Sequence, residues 1–179
     1  FGISVSAINL LRDLADEQGL GRVRLAGASA REDIRRLSED TLTAARTLAA
    51  RPTLQRLIRE QRLASLSPFL KRACEATGAD TCAVVVRDAA PVATGRATDW
   101  PAVLAASAEQ GERFLVVTSA DEPPLAGARA PIGNGGAEVI LLRSLDATLA
   151  NRIGERTGLE IRILNYLEYA ARTPDAFTA

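Results

Sequence analysis

The feature that most constrains the fold of this chain is one change in the spacing of its apolar residues, at Gly78. Before Gly78 the apolar residues recur every three or four positions, which is typical of amphipathic helices. After it come short apolar runs such as TCAVVVR and AEVILLRS, which are bounded by turn residues and predict strands. A helical first part and a strand-rich second part together predict an α+β fold.

Two glycines, Gly19 and Gly21, divide the N-terminal helical pattern. They predict an interruption or kink between residues 6–18 and 22–50, because each glycine costs about 1 kcal/mol inside a helix. The second segment carries small and apolar residues in alternating steps of four and three, as in a coiled coil. Such a stripe packs on its own domain or pairs with a second copy, and we predict a homodimer through this helix. Its members are Ala30, Ile34, Leu37, Thr41, Ala44 and Leu48.

Two shorter helices are predicted before Gly78. Pro52 ends the long helix or begins the next one, which covers residues 53–62. The following helix is expected to have Ser67 as its N-cap, Pro68 in its first position and Gly78 as its C-cap. The first third or more of the chain is therefore predicted to be helical.

The second part of the chain predicts six strands and two helices. The strands are expected at residues 81–87, 91–94, 113–119, 125–132, 137–144 and 159–166. Asp99 and Asp146 are each in the N-cap position of a helix, one running to about Gln110 and the other stopped by Gly158. The sequence GNGG predicts a hairpin turn; a phosphate-binding loop is disfavoured because a strand follows it rather than a helix.

Composition excludes several classes of function. The 22 basic and 22 acidic residues balance, whereas a nucleic-acid-binding surface needs a basic excess. The chain has no histidine and two cysteines, Cys74 and Cys82, which cannot form a zinc site by themselves. Nucleophilic catalysis by either cysteine is disfavoured because no histidine base exists and Cys82 lies in a valine-rich strand. We therefore expect no enzyme activity, no cofactor and no metal.

The two cysteines are close in sequence, with Cys74 four residues before Gly78 and Cys82 four residues after it. A helix that folds back onto the following strand would bring the two side chains opposite each other. The sequence therefore predicts a disulfide and, with it, an oxidising compartment. Two buried thiols are the alternative interpretation.

Three segments carry a resemblance to a known family: ARTLAARPTLQRLI, SPFLKRACEATGADTCAVVVRD and LDATLANRIGERTGLEIRIL. In order and spacing they resemble the Cache-type sensor domains, which are PAS-like extracytoplasmic domains of bacterial membrane receptors. The resemblance covers about residues 31–166. It implies an antiparallel sheet flanked by helices and preceded by a long N-terminal helix. The expected division is an N-terminal helical signalling region (1–62), a sensor domain (63–169) and an exit segment towards a membrane helix (170–179).

The resemblance also implies a function. The chain would be the periplasmic or extracellular ligand-sensing part of a membrane-anchored histidine kinase, diguanylate cyclase, phosphatase or chemoreceptor. The chain contains no apolar run of membrane-spanning length, and it begins at Phe1 without a methionine, so we expect it to be cut from a longer protein. The alternatives are a cytoplasmic PAS or GAF regulatory domain, and a ligand-free spacer or protein-interaction module.

In a PAS-like domain the ligand pocket lies between the sheet and the helix after the second strand, a region that here contains Arg96, Asp99 and Trp100. Trp100 is expected to form a wall of the pocket, although a single tryptophan is more often part of the core. Arg96, Arg87 and Arg143 would supply positive charge to a small polar or anionic ligand, although each arginine alone more often reaches solvent or a nearby acid. Tyr166 would line the pocket or the rim of the domain.

Overall fold

The computed structural model of the protein describes residues 2–87, 89–119, 122–134 and 136–163, with side chains from residue 19 onward except that of Leu63. This part of the chain contains five helices and five strands. The helices are α1 (Gly2–Ala49), α2 (Pro52–Arg59), α3 (Leu63–Thr77), α4 (Trp100–Gln110) and α5 (Ala147–Thr157). The strands are β1 (Thr81–Val86), β2 (Val92–Gly95), β3 (Arg113–Val116), β4 (Leu125–Ile132) and β5 (Ala137–Ser144).

The five strands form one antiparallel sheet in the order β2-β1-β5-β4-β3. β5 lies in the centre, pairing with β1 through Ala83 and Ile140 and with β4 through Ala128 and Leu141. Because successive side chains alternate between the two faces of a strand, neighbours such as Ile140 and Leu141 belong to different layers of the core. The predicted α+β class, with a long helix before an antiparallel sheet, is confirmed.

Helices α1, α2 and α3 cover one face of the sheet, which we call the α1 face. Val84, Val139 and Leu141 from the sheet pack there against Leu48 of α1 and Leu70 of α3. One core therefore includes residues from both sides of the predicted boundary at residue 62, and that division of the chain stays a prediction.

Helix α4 covers the opposite face, which we call the α4 face. Val103 of this helix packs against Phe114, Val116, Ile140 and Leu142. The sheet is therefore the middle of three layers. Because α1 and α4 lie on opposite faces, they can contact each other only around an edge of the sheet.

The α1 stripe packs within its own domain. Thr41 and Leu48 are 0% and 1% exposed, while Ile34 and Leu37 pack against a cluster that includes Leu149 of α5. Thr41 and Leu48 are therefore not available to a second copy, whereas Ala30, Ile34, Leu37 and Ala44 are only partly buried. A homodimer through this helix stays a prediction.

Three local predictions differ from the structure. α1 continues through Gly19 and Gly21, since the helical hydrogen bonds on both sides outweigh a cost of about 1 kcal/mol for each glycine. α3 begins at Leu63 rather than after Ser67, because Leu66, which is completely buried, belongs to its core-facing side. Residues 159–163 form no strand, although Ile161 and Ile163 do pack inward, and residues 164–166 of that predicted strand lie outside the described part.

Candidate ligand-binding site

The N-terminus of α4 holds Trp100 against the sheet. The Asp99 carboxylate accepts a hydrogen bond from the Ala102 N–H at 3.3 Å, which satisfies one of the free donors of the first turn. Pro101 in that turn has no N–H to satisfy. Trp100 follows the cap and packs, half-buried, against the apolar layer of the α4 face. Asp99 therefore has a structural role, that of positioning Trp100.

The space between α4 and the sheet is filled by side chains, among which the Phe114 ring is the largest that is buried. Phe114 is 3% exposed and lies directly over Gly127 of the neighbouring strand. A Cβ at Gly127 would lie 2.2 Å from Phe114 Cε2, so the ring occupies the volume that any other residue at this position would need. In this conformation the layer is packed as a core rather than open as a pocket.

Charge is concentrated where the layer reaches the surface, near the start of α4. Arg96 Nη2 lies 2.9 Å from Glu122 Oε1, and the Arg96 side chain is 39% exposed. Thr118 Oγ1 donates a hydrogen bond to the other oxygen of Glu122 at 3.1 Å. The Thr118 hydroxyl and the Arg96 guanidinium hold the pKa of the Glu122 carboxyl below its ordinary value. We call these three residues, together with Trp100 four positions after Arg96, the mouth.

The backbone before Arg96 is held tightly in place. Gly95 has a positive φ of 102°, and a Cβ there would lie 2.1 Å from the Asp80 carbonyl oxygen, so glycine is required. The Arg96 N–H donates to that same carbonyl at 3.0 Å, and Thr81 Oγ1 donates to the Arg96 carbonyl at 3.1 Å. The side chain of Arg96 therefore projects from a rigid end of β2.

Arg143 is not part of the mouth. It follows Leu142, which faces α4, so its side chain lies on the α1 face. Its Nη2 donates to the Thr77 carbonyl at 2.5 Å, where a cation is favourable because the carbonyls of the last turn of α3 carry partial negative charge. Within the described residues the buried Arg143 Nε has no hydrogen-bond partner. Arg143 therefore secures the end of α3.

Arg87 and Tyr166 do not join the mouth either. Arg87 is exposed after the end of β1, where its N–H donates to the Gly136 carbonyl at 3.3 Å. The Arg96 N–H is hydrogen-bonded to Asp80, directly before the other end of β1, so about 20 Å of extended chain separates the two arginines. Tyr166 lies outside the described residues. Of the six candidate residues, Arg96, Asp99 and Trp100 share one short segment, from the end of β2 to the start of α4.

Sequence reasoning missed Thr118 and Glu122, because the loop that carries them is close to Arg96 only after β3 and β4 have paired. It also missed Phe114 as the side chain that fills the layer. A signal for this was present: Gly127 interrupts an otherwise continuous strand pattern, and a glycine within a strand often marks the close approach of another group.

Cys74 of α3 and Cys82 of β1 are joined in a disulfide, with their Cα atoms 5.6 Å apart. Both residues are buried in the core of the α1 face. The bridge ties α3 to the strand that follows it, as the spacing around Gly78 predicted. In the described residues no group of three or more histidine, cysteine, aspartate or glutamate side chains is arranged to hold a metal ion.

Within the described residues no helix is both long enough and apolar enough to cross a membrane. No protein-family model matches the chain, and no curated protein matches it.

Solved structures with a similar fold are sensory domains of the Campylobacter jejuni chemoreceptor Tlp3. Its ligand-binding domain in complex with L-valine has a TM-score of 0.51 and 10% identity, over 75% of this chain and 61% of that domain. The same sensory domain with isoleucine bound has a TM-score of 0.51 and 11% identity, over 75% and 60%. The chain thus spans about three fifths of the Tlp3 domain, and at this identity the likeness concerns the fold alone.

Proposed function

We propose that this chain is the extracytoplasmic sensory domain of a membrane-anchored bacterial receptor and has no catalytic activity of its own. The observation that carries the proposal is the three-layer arrangement: a long helix on one face of a five-stranded antiparallel sheet and a short capped helix on the other. The fold shared with chemoreceptor sensory domains supports it. The Cys74–Cys82 bridge supports the extracytoplasmic location, because disulfides persist in oxidising compartments.

The ligand that best suits the mouth is a small molecule with a carboxylate and an amine. Arg96 would bind the carboxylate, because a guanidinium can donate two parallel hydrogen bonds to it. The Glu122 carboxylate, whose pKa the Thr118 hydroxyl and Arg96 hold below its ordinary value, would accept from the ammonium group. The free domain already pairs these two charges at 2.9 Å, so the ligand would insert between them and replace one ion pair with two. The Tlp3 domains, of similar fold, are described with L-valine and isoleucine bound.

A path from α4 to α1 runs around the β3 edge of the sheet. Glu112, in the turn between α4 and β3, pairs with Arg46 of α1 at 2.7 Å. Arg113 at the start of β3 lies 3.6 Å from Glu39, also on α1. Movement of α4 on ligand binding would therefore pull on α1, and it could shift the state of α1 only as far as the ligand's affinity differs between the two states.

A ligand-free spacer or protein-interaction module is the second candidate. The close packing of Phe114 over Gly127, which leaves the α4 layer filled, favours it. The two candidates differ in whether a small molecule stabilises the domain.

A thermal-shift screen separates the two candidates. L-valine and L-isoleucine would be tested first, followed by the other amino acids and by organic acids. A ligand at ten times its dissociation constant should raise the free energy of unfolding by about 1.4 kcal/mol. Arg96→Ala and Glu122→Gln should abolish this gain. The matched control Arg87→Ala, also an exposed arginine beside β1, should keep it.

Two results would contradict the proposal in different ways. If no compound stabilises the domain, the ligand-free module becomes the preferred function. If a compound stabilises Arg96→Ala as much as the unsubstituted domain, the ligand binds elsewhere and the mouth is the wrong site.

A further inference from the structure

One edge of the sheet is covered by a side chain in place of a strand. Among the described strands, β3 is an edge strand with β4 as its neighbour. Leu115, in the middle of β3, directs its N–H and C=O away from β4. The Gln110 side chain satisfies both groups: its Oε1 accepts from the Leu115 N–H at 2.9 Å, and its Nε2 donates to the Leu115 carbonyl at 2.9 Å.

These two bonds are the pair that one residue of an added antiparallel strand would form with Leu115. An edge strand whose outward groups are unpaired is a template for another chain. Gln110 lies at the C-terminal end of α4 and is exposed, so its amide can leave Leu115 without disturbing the core. Releasing it would free the β3 edge at Leu115.

The side chains of the edge also suit a partner. Leu115 and Val117 are 47% and 37% exposed, which is unusual for large apolar residues in this domain. A groove of about 280 Å³ runs beside Leu115, lined also by Arg35 and Ser38 of α1 and by Gln110, Arg113 and Phe114. An extended segment could cover this apolar surface while its backbone pairs with β3.

The charges along the groove favour an acidic partner. Glu39 is the shared carboxylate of Arg35 at 2.5 Å and Arg113 at 3.6 Å. Arg35 is also paired with Glu32 at 2.8 Å, so Arg113 is the less fully paired of the two arginines. The Arg113 side chain is 49% exposed, so it has room for a second carboxylate. In an antiparallel strand centred on Leu115, the residue two positions further along would lie next to Arg113. A matching segment would therefore carry three side chains at alternate positions on the side that faces the groove. In chain order they are an apolar residue next to Val117, an apolar residue next to Leu115 and an acidic residue next to Arg113.

We propose that the β3 edge binds an extended, acidic segment of a partner protein by strand addition, and that Gln110 occupies the place of that segment in the free domain. This is a binding surface separate from the mouth, and it does not depend on a small ligand. Strand addition takes its affinity from main-chain hydrogen bonds and its specificity from alternate side chains, which here are those of Arg113 and Leu115 in β3 and of Val117 directly after it.

A second copy of the chain is a poorer occupant. Antiparallel pairing of β3 with another β3 places the two-fold axis perpendicular to the sheet. Because α1 packs along the sheet, the two α1 helices would then point in opposite directions. Two α1 helices that lead to the same membrane could not take this arrangement, an argument that rests on the proposed function.

The test uses a synthetic peptide of about seven residues, a usual strand length, that alternates valine with threonine and carries one C-terminal glutamate. Binding would be measured by NMR titration of the domain, together with hydrogen exchange of the Leu115 amide. In Gln110→Ala the Leu115 amide should lose its protection, and the peptide should restore it. The peptide should bind Gln110→Ala roughly tenfold more tightly than the unsubstituted domain, because it no longer displaces two intramolecular hydrogen bonds.

Two controls accompany the test. Glu109→Ala, one residue earlier on the same exposed helix end, should leave the affinity unchanged. Arg113→Glu should reverse the charge preference, so that a peptide with lysine in place of glutamate binds more tightly. Melting curves establish that each variant is folded.

Three results would overturn the proposal. The first is equal affinity of the peptide for Gln110→Ala and for the unsubstituted domain. The second is a concentration-dependent dimer of Gln110→Ala that excludes the peptide, which would make a second copy the occupant. The third is protection of the Leu115 amide in monomeric Gln110→Ala without peptide, which would mean that a segment of the chain itself takes the edge.

Discussion

Replacing Phe114 with alanine is expected to lower the free energy of unfolding by about 3–5 kcal/mol, the usual cost of deleting a buried aromatic ring. The ring is almost completely buried between α4 and the sheet, where it packs with Val103 and Ile140. Its loss should leave a cavity beneath α4, because the neighbouring strands are fixed by their pairing and can collapse only in part. Urea denaturation monitored by far-ultraviolet circular dichroism measures the change.

A double-mutant cycle with Gly127 tests the cause. Gly127→Ala alone should destabilise the domain by about 1–3 kcal/mol, because its new methyl group would have to displace the Phe114 ring. In the Phe114→Ala background the same methyl group fills part of the cavity, so Gly127→Ala should be neutral or stabilising there. If the free-energy costs of Phe114→Ala and Gly127→Ala were strictly additive in the double variant, the ring would not lie over Gly127. Phe69→Ala, which alters the α1 face, is the control and should show no coupling to Gly127→Ala.

Removing the disulfide is expected to cost about 2.5 kcal/mol. The bridge joins residues eight positions apart, and closing so short a loop restricts the unfolded chain by about that amount. The comparison is between the oxidised domain and the Cys74→Ala/Cys82→Ala variant in urea denaturation. The reduced unsubstituted domain, which keeps both side chains in the core, separates the effect of the bridge from the loss of two buried sulfur atoms.

The same residues test the compartment. Protein exported to the periplasm should have a mass two hydrogens lower than the reduced chain and should not react with a maleimide after denaturation. Free thiols in the exported protein would contradict both the bridge and the argument for an extracytoplasmic location. A bridge that forms only after export would support that location over a cytoplasmic regulatory domain.

The two helix caps of the second part were predictable from sequence because their causes are local. Asp99 and Asp146 each accept hydrogen bonds from backbone N–H groups two or three residues later, and both helices begin where the sequence predicted. Gly78 and Gly158 end their helices with positive φ, as expected of glycine at that position. Here the energy terms involve residues close in sequence, so a single sequence contains them.

The start of α3 was not predictable in this way. Ser67 and Pro68 form a good local start signal, yet the helix begins five residues earlier, at Leu63 rather than at Pro68. Leu66 is completely buried against the sheet. Its burial contributes on the order of 2 kcal/mol, more than the N-cap of a serine, so packing outweighed the local signal.

By itself, the sequence determined the class of fold and the order of the ten helices and strands in the described residues, and it placed the two cysteines on either side of one helix end. Each follows from apolar spacing or from turn and cap residues, whereas the bridge between the cysteines is shown by the structure. Only the tertiary structure decided that the α1 stripe packs inward and that Arg143 and Arg87 lie away from Arg96. It alone joined Arg96 to Glu122, and Gln110 to the edge of β3. The physical reason is that these outcomes depend on strand register and on which face a side chain takes, and a shift of one residue reverses the face.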